Sequence, residues 1–261
     1  FDQAGMVREL VKWDYELRVP GQIGDVVARG VEVAMAHPRG PIYLVLPREP
    51  LAAALPEPVG PTKPRPQAAA AYPDPRTIAT LAEWIAAAER PLIITSTLPA
   101  EAVPQLERLA ERCAIPVVTH NPRSVRLPSS HSMHFGFEPG TLLTDADLVI
   151  ALESDVPWIP HLQHPPGGCR VAHVGEDPFY VRYPMRSFPS DLALQAGPAQ
   201  ALDALVRAVE PRLQMADARI AARRARLTER MRTRRAQLAK DSTVGTTISP
   251  EYLSRVIGET V

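Results

Sequence analysis

Cysteine is nearly absent from this chain, with two thiols, Cys113 and Cys169, in 261 residues. Two cysteines make no disulfide framework, and they suit a reducing cytoplasm. Aromatic residues are scarce at 5%. No apolar run approaches the ~20 residues of a spanning helix, so no membrane partner is expected. The formal net charge is zero, with 29 basic and 29 acidic side chains, and no global field draws the chain toward nucleic acid. No basic-then-apolar leader pattern opens the sequence. The motifs that grip phosphates, nucleophiles or zinc are missing as well: no Walker loop, no nucleophile elbow, no Rossmann glycine fingerprint, no paired zinc-ligand motif. The segment 95–99, Thr-Ser-Thr-Leu-Pro, holds no glycine where a pyrophosphate would have to approach the backbone. Dinucleotide binding in the usual mode is therefore not expected.

Proline, by contrast, is abundant, with 29 residues. Six of them crowd into positions 55–66, Leu-Pro-Glu-Pro-Val-Gly-Pro-Thr-Lys-Pro-Arg-Pro, counting those at 56, 58, 61, 64 and 66 together with the neighbouring Pro50. Proline fixes φ and removes a donor, so this stretch reads as a semi-extended strap between two α/β segments. Before it, Ile23, Val26, Val27, Val31 and Ala34 carry helical spacing over 22–36, and 42–46 reads as a buried parallel strand. A single strand makes no sheet, so its neighbours are expected outside this chain. After the strap, helices over 75–88, 103–113 and 198–209 alternate with strands over 91–96, 115–119, 147–152, 170–174 and 192–195. That alternation predicts an α/β fold, a doubly wound parallel sheet.

Residues 211–240 predict a long charged helix. Leu213, Ile220, Leu227, Met231 and Leu238 form one stripe, and Arg219, Arg223, Arg224, Arg226, Arg230, Arg232, Arg234 and Arg235 crowd the rest. Such a helix either contacts phosphates, as in an interaction protein, or packs one stripe on a domain with its charges in solvent. A polar break over 241–247 precedes Ser249-Pro250, a good N-cap and first helical position for a further helix.

Few residues offer chemistry. His131 with His134, and His161 with His164, have i, i+3 spacing that suits metal on a helix, yet both pairs sit in loop-like sequence without cysteine or glutamate companions. Glu153, Ser154 and Asp155 follow the strand at 147–152. At the carboxyl edge of a parallel sheet they could meet a ribose hydroxyl, or simply cap the next turn. Glu176-Asp177 after the next strand has the same two readings.

Leu10-Val11-Lys12-Trp13-Asp14-Tyr15-Glu16, Arg39-Gly40-Pro41-Ile42-Tyr43-Leu44-Val45-Leu46-Pro47, Ser130-His131-Ser132-Met133-His134-Phe135-Gly136, Ala146-Asp147-Leu148-Val149-Ile150 and Ile248-Ser249-Pro250-Glu251-Tyr252-Leu253 stand in an order that resembles the thiamine-diphosphate-dependent 2-oxoacid enzymes, the group of acetolactate synthase and benzoylformate decarboxylase. The resemblance implies the end of a pyrimidine-binding domain over 1–54 and a proline-rich linker over 55–73. It implies a Rossmann-like central domain over 74–209, a charged linker helix over 210–247 and the start of a diphosphate-binding domain over 248–261. It implies a parent enzyme that uses thiamine diphosphate and Mg2+ on a 2-oxoacid substrate, by decarboxylation or carboligation, as a homodimer or homotetramer. The family's activating glutamate would precede residue 1, and its Gly-Asp-Gly motif is not in this sequence. The fragment itself is therefore expected to be structural and inactive, with thiamine diphosphate not bound. Lys12, beside Trp13, matches a basic residue near the family's substrate channel, or is a surface lysine. Some relatives bind FAD or ADP in the central domain. Here Gly136, Ser154 and Asp155 stand where such a ligand would lie, and the missing glycines over 95–99 point to a structural role instead. A stand-alone nucleotide-binding module is the alternative reading.

Overall fold

The computed structural model describes residues 2–55, 65–123, 127–241 and 248–260. Most of the proline strap, at 56–64, and the polar break at 242–247 lie outside the described residues. The chain forms two compact units, one ending at Ala71 and one beginning at Tyr72.

The first unit contains β1 (Trp13–Glu16), α1 (Ile23–Met35), β2 (Ile42–Val45) and the short α2 (Arg48–Ala52). Here β1 pairs parallel with β2, Trp13 opposite Ile42 and Glu16 opposite Val45. The strand at 42–45 thus has a partner inside the chain, contrary to the expectation that all its neighbours lie elsewhere. The signal was present: Trp13, Asp14, Tyr15 and Glu16 alternate aromatic and acidic residues with the period of a strand. Trp13 and Tyr15 share a face and stack, ring centroids 5.5 Å apart. The residues of β2 are only half-buried, not buried as a continuous apolar run suggests. The helix also turns differently from its apolar pattern. Val26 and Gly30 are buried, while Val27 and Val31 are 42% and 56% exposed. Gly30 lets the helix close on the sheet, since a Cβ there would lie 3.1 Å from Ile42 Cδ1 and 3.6 Å from the Trp13 ring.

The second unit contains α3 (Pro75–Ala87), β3 (Pro91–Thr95), α4 (Val103–Cys113), β4 (Val117–Thr119), α5 (Gly140–Thr144), β5 (Leu148–Leu152), β6 (Arg170–Gly175), β7 (Leu192–Gln195), α6 (Pro198–Asp241) and α7 (Pro250–Thr260). Asp74 starts α3 by accepting from Thr77 N at 2.8 Å, with Pro75 at the first helical position. The five strands form one parallel sheet in the order β4-β3-β5-β6-β7. Strands β3, β4 and β5 are buried along their whole length, as their apolar, β-branched composition requires. Residues 133–136 run along the outer edge of β4, with Val117 N donating to Met133 O at 2.8 Å and Thr119 N to Gly136 O at 2.9 Å.

The last long helix shows the largest difference from expectation. It is one helix of 44 residues that runs through Pro211 without a break. Ala216, Ile220, Arg223 and Leu227 form its buried stripe, and Leu213 and Met231 pack beside them. Arg223, expected among the solvated charges, is 1% exposed. Its guanidinium donates to Ala88 O at 3.0 Å, Ile85 O at 2.7 Å and Cys113 O at 2.9 Å. Arg219 donates to Ala86 O, Arg224 to Glu111 O and Arg226 to Glu89 O. These carbonyls lie at the C-terminal ends of α3 and α4, where helices leave acceptors unpaired and carry partial negative charge. The arginine row is a cap for two other helices.

Candidate functional site

In an open parallel sheet the chain reverses its direction of winding at one point, and the carboxyl ends of the two strands diverging there leave a crevice. The order β4-β3-β5 puts that point between β3 and β5. Ser96 follows β3 and Ser154 lies two residues after β5, and their hydroxyl oxygens are 2.8 Å apart and buried. The crevice is thus spanned by a serine pair.

Asp155 lies beside it and gathers donors. Tyr183 Oη donates to Asp155 Oδ2 at 2.6 Å, Val156 N donates to Oδ1 at 3.0 Å, and the Arg123 guanidinium pairs with Oδ2. Burial works against the carboxylate charge, but the Tyr183 hydroxyl and the Arg123 charge outweigh it and hold Asp155 below its ordinary range. Arg186 supports the same turn from its backbone side, donating Nε to Asp155 O at 3.0 Å and Nη2 to Ser154 O at 3.3 Å. Its guanidinium also lies 5.1 Å from the Tyr180 ring centroid and 5.0 Å from that of Phe188.

His173, in β6, completes the cluster. Arg186 Nη2 is 3.1 Å from His173 Nδ1, and an arginine only donates, so Nδ1 is the bare nitrogen. Nε2 then carries the proton and donates to Pro189 O at 3.0 Å. Burial pushes this imidazole down to about 4, and the Arg186 charge acts in the same direction. It is neutral near pH 7 and works as a fixed hydrogen-bonding group.

Glu153 sits at the end of β5 with φ of 47°, a left-handed turn. Its Oε1 accepts from Glu176 N at 2.7 Å, and burial pushes its carboxyl up to about 7. Gly175 makes room for it, since a Cβ there would lie 2.6 Å from Glu153 Oε1.

The structure thus brings Ser154 and Asp155 together with Ser96, Arg123, Tyr183 and Arg186. Gly136 is not among them. It lies on the far side of β4 at φ of 94°, and the Arg234 guanidinium occupies the space a side chain there would fill. In the first unit, Lys12 Nζ donates to Ala36 O at 2.6 Å and Pro38 O at 3.0 Å, at the C-terminal end of α1. The histidine pairs do not converge. His131 accepts from Met133 N on Nδ1 and faces Glu111 on Nε2 at 3.1 Å, while His164 Nδ1 meets Pro165 O at 3.0 Å. Of the residues that sequence reasoning missed, Ser96 was recoverable, because the switch-point rule pairs the first residue after β3 with those after β5. Tyr183 and Arg186 lie in an irregular loop whose spacing carries no periodic signal.

Magnesium bound to a diphosphate needs several oxygen ligands, carboxylates among them. Among the described residues no three His, Cys, Asp or Glu side chains come together in a set that could hold a metal. The described residues therefore do not fit a magnesium–diphosphate group. Nor is any described helix long and apolar enough to cross a membrane.

An α/β domain of this strand order with a crevice at β3 and β5 belongs to the nucleotide-cofactor class of folds, and comparison with known proteins makes the assignment specific. Residues 78–205 match the family model described as the thiamine pyrophosphate enzyme central domain, and through this domain the chain belongs to the thiamine pyrophosphate enzymes. Sulfoacetaldehyde acetyltransferase of Rhodobacter capsulatus is 29% identical over 162 residues, which is 58% of this chain and 26% of that protein. Oxalyl-CoA decarboxylase of Escherichia coli is 26% identical over 163 residues, 60% of this chain and 29% of that protein. Benzoylformate decarboxylase of Pseudomonas aeruginosa is 26% identical over 225 residues, 80% of this chain and 41% of that protein. Among solved structures, benzoylformate decarboxylase of Polynucleobacter necessarius superposes with a TM-score of 0.62 at 25% identity, covering 76% of this chain and 38% of that one. The chain spans between about a quarter and two fifths of the length of these curated relatives.

Proposed function

We propose that this chain is the central-domain portion of a thiamine-diphosphate-dependent enzyme acting on 2-oxoacids, and that by itself it is structural and inactive. The family match over 78–205 supports the class. The observation that carries the structural reading is the crevice at β3 and β5. Its polar groups are already paired with one another, Ser96 with Ser154 and Asp155 with Arg123 and Tyr183. A ribose or phosphate entering there would have to displace these partners. The donor set for a metal-bound diphosphate is likewise not assembled among the described residues.

The work of these residues is then to hold a rigid domain in place around chemistry supplied elsewhere in the parent. When bound to the parent, thiamine diphosphate supplies the carbanion and electron sink that decarboxylation of a 2-oxoacid requires. Decarboxylation and carboligation, with acetolactate synthase-like specificity for the latter, are both compatible with the relatives' names. A homodimeric or homotetrameric, magnesium-dependent, cytoplasmic parent follows from the family resemblance. Lys12 donates to two carbonyls, which favours a helix-capping role over one in a substrate channel. The arginine-rich helix directs its guanidinium groups at the protein's own carbonyls, which speaks against a nucleic-acid partner.

The test is calorimetric titration of the 261-residue chain with thiamine diphosphate plus Mg2+, with FAD and with ADP, alongside an assay for CO2 release from benzoylformate. No binding and no turnover are expected. Saturable thiamine diphosphate binding, or turnover, would overturn the structural reading. Micromolar binding of FAD or ADP would establish the nucleotide-binding module in its place.

A further inference from the structure

At the amino-terminal end of the sheet, opposite the crevice, three guanidinium groups converge on one small cavity. It has a volume of about 50 Å³ and is lined by Arg90, Ala114, Pro116, Asp145, Arg226 and Arg230, among others. About 10–15 Å³ of such space holds one water, so the cavity has room for a few waters or one small tetrahedral ion. Arg90 comes from the turn before β3, and Arg226 and Arg230 stand one helical turn apart on α6.

Each arginine is fixed at one point and carries further donors. Arg90 Nε donates to Asp145 O at 2.6 Å, Arg226 Nη2 donates to Glu89 O at 2.6 Å, and Arg230 Nη2 donates to Thr141 Oγ1. A guanidinium has five N–H donors, so most of those on the three arginines remain available. The negative groups nearby are few. Asp145 lines the cavity, with Oδ2 3.9 Å from Arg230 Nη1 and its side chain 59% exposed. Glu89, at 3.7 Å from Arg90, is 68% exposed. The carboxylate of Asp147 is occupied by the backbone N–H groups of Glu89 and Arg90. The carbonyl ends of α3 and α4 add partial negative charge, and Arg219, Arg223 and Arg224 already meet them. Three full positive charges thus face one lining carboxylate.

We propose that this cavity binds a tetrahedral oxyanion, either free phosphate or the terminal phosphate of a small ester. Forked guanidinium groups pair with phosphate oxygens two at a time, and helix α6, α5 and the start of β3 hold the three forks in fixed positions. The site is independent of the thiamine diphosphate assignment, since it lies at the other end of the sheet and uses none of the crevice residues.

The experiment is calorimetric titration of the 261-residue chain at low ionic strength with sodium phosphate and, separately, with AMP. Saturable phosphate binding is expected, with competition by sulfate and none by chloride at equal ionic strength. Arg230→Gln should weaken it about tenfold, the loss of one charge-assisted contact. Asp145→Asn should tighten it several-fold by removing the competing carboxylate, a gain that damaged folding would not produce. Arg232→Gln, which removes a guanidinium paired with Glu229 on the same helix, should leave it unchanged. AMP binding tighter than phosphate identifies an ester as the occupant, and AMP binding weaker than phosphate identifies the free ion. Absence of saturable binding to either probe, or affinity indifferent to both Arg230→Gln and Asp145→Asn, would overturn the proposal.

Discussion

Glu153 shows how a single residue reconciles a buried charge with a crowded edge. Its left-handed backbone turns the carboxylate back under Gly175 and onto Glu176 N, away from solvent. Burial raises its carboxyl from an ordinary value near 4.5 to about 7. A carboxyl whose folded value is raised contributes stability that is present below pH 4.5 and is lost as pH climbs through 7. The loss is at most roughly 3 kcal/mol. His173 slopes the other way, because its folded value is lowered from 6.5 to about 4. Its contribution is present above pH 6.5 and fades as pH falls toward 4, so the two slopes oppose each other over much of the mildly acidic range. Comparing variants separates them. Glu153→Gln keeps an amide oxygen to accept from Glu176 N and removes the titration. In urea melts at pH 5 and pH 8, the variant should gain stability over the natural chain at pH 8, by roughly 1–3 kcal/mol, and differ little at pH 5. An equal difference at both pH values would show that Glu153 does not titrate in this range.

At the scale of elements, α6 is the component whose role the sequence conveyed least. Its amphipathic stripe was visible in Ile220, Leu227 and Met231, and Pro211 suggested a boundary. The helix instead continues through that proline, because packing on α3 and α4 fixes the backbone on both sides of it. Arg223 was unreadable for a different reason. A buried arginine looks like any other arginine in a charged run, and only the third dimension places two helix ends against it. The strands were legible, since buried parallel strands are written as short apolar runs, whereas β1 hid in an alternation of aromatic and acidic residues that competes weakly with those runs. In the crevice, Ser154 and Asp155 were legible from their position after β5, while Arg123, Tyr183 and Arg186 converge from loops distant in sequence. The capping role makes a clear prediction. Arg223→Met keeps much of the volume and removes every donor to Ile85, Ala88 and Cys113 carbonyls. Urea denaturation should show a loss of about 3–5 kcal/mol, because several buried acceptors lose their partner at once. Burial lowers Arg223 to about 10, so it stays charged at neutral pH. Arg223→Lys, with a point charge and three donors, should recover only part of the loss. Arg224→Ala, at an exposed position with one such bond, should cost less than about 1 kcal/mol.

The whole molecule divides unevenly. The second unit buries five strands and one continuous apolar cluster drawn from α3, α4, α6 and the sheet. The first unit buries Ala4, Leu17 and Val26 among its apolar residues, and it leaves Met6, Leu10, Val19, Val31 and Leu51 more than half exposed. Its sheet has two strands, and a two-stranded sheet is marginal in water without a hydrophobic layer to cover it. Local stability follows buried apolar contact and protected hydrogen bonds, so the two units should open independently and with very different free energies. Hydrogen exchange on the intact chain tests this directly. Amides of β3, β5 and β6 should exchange only through global opening of the second unit, whereas those of β1 and β2 should exchange at least ~10³ times faster. The same contrast should appear in proteolysis, with fragments beginning near Tyr72 outlasting those that contain residues 2–55. Equal protection of β1 and β3 would mean that the first unit draws cohesion from contacts beyond its own small core. In that case its exposed valines and leucines would be the first places to look for what supplies them.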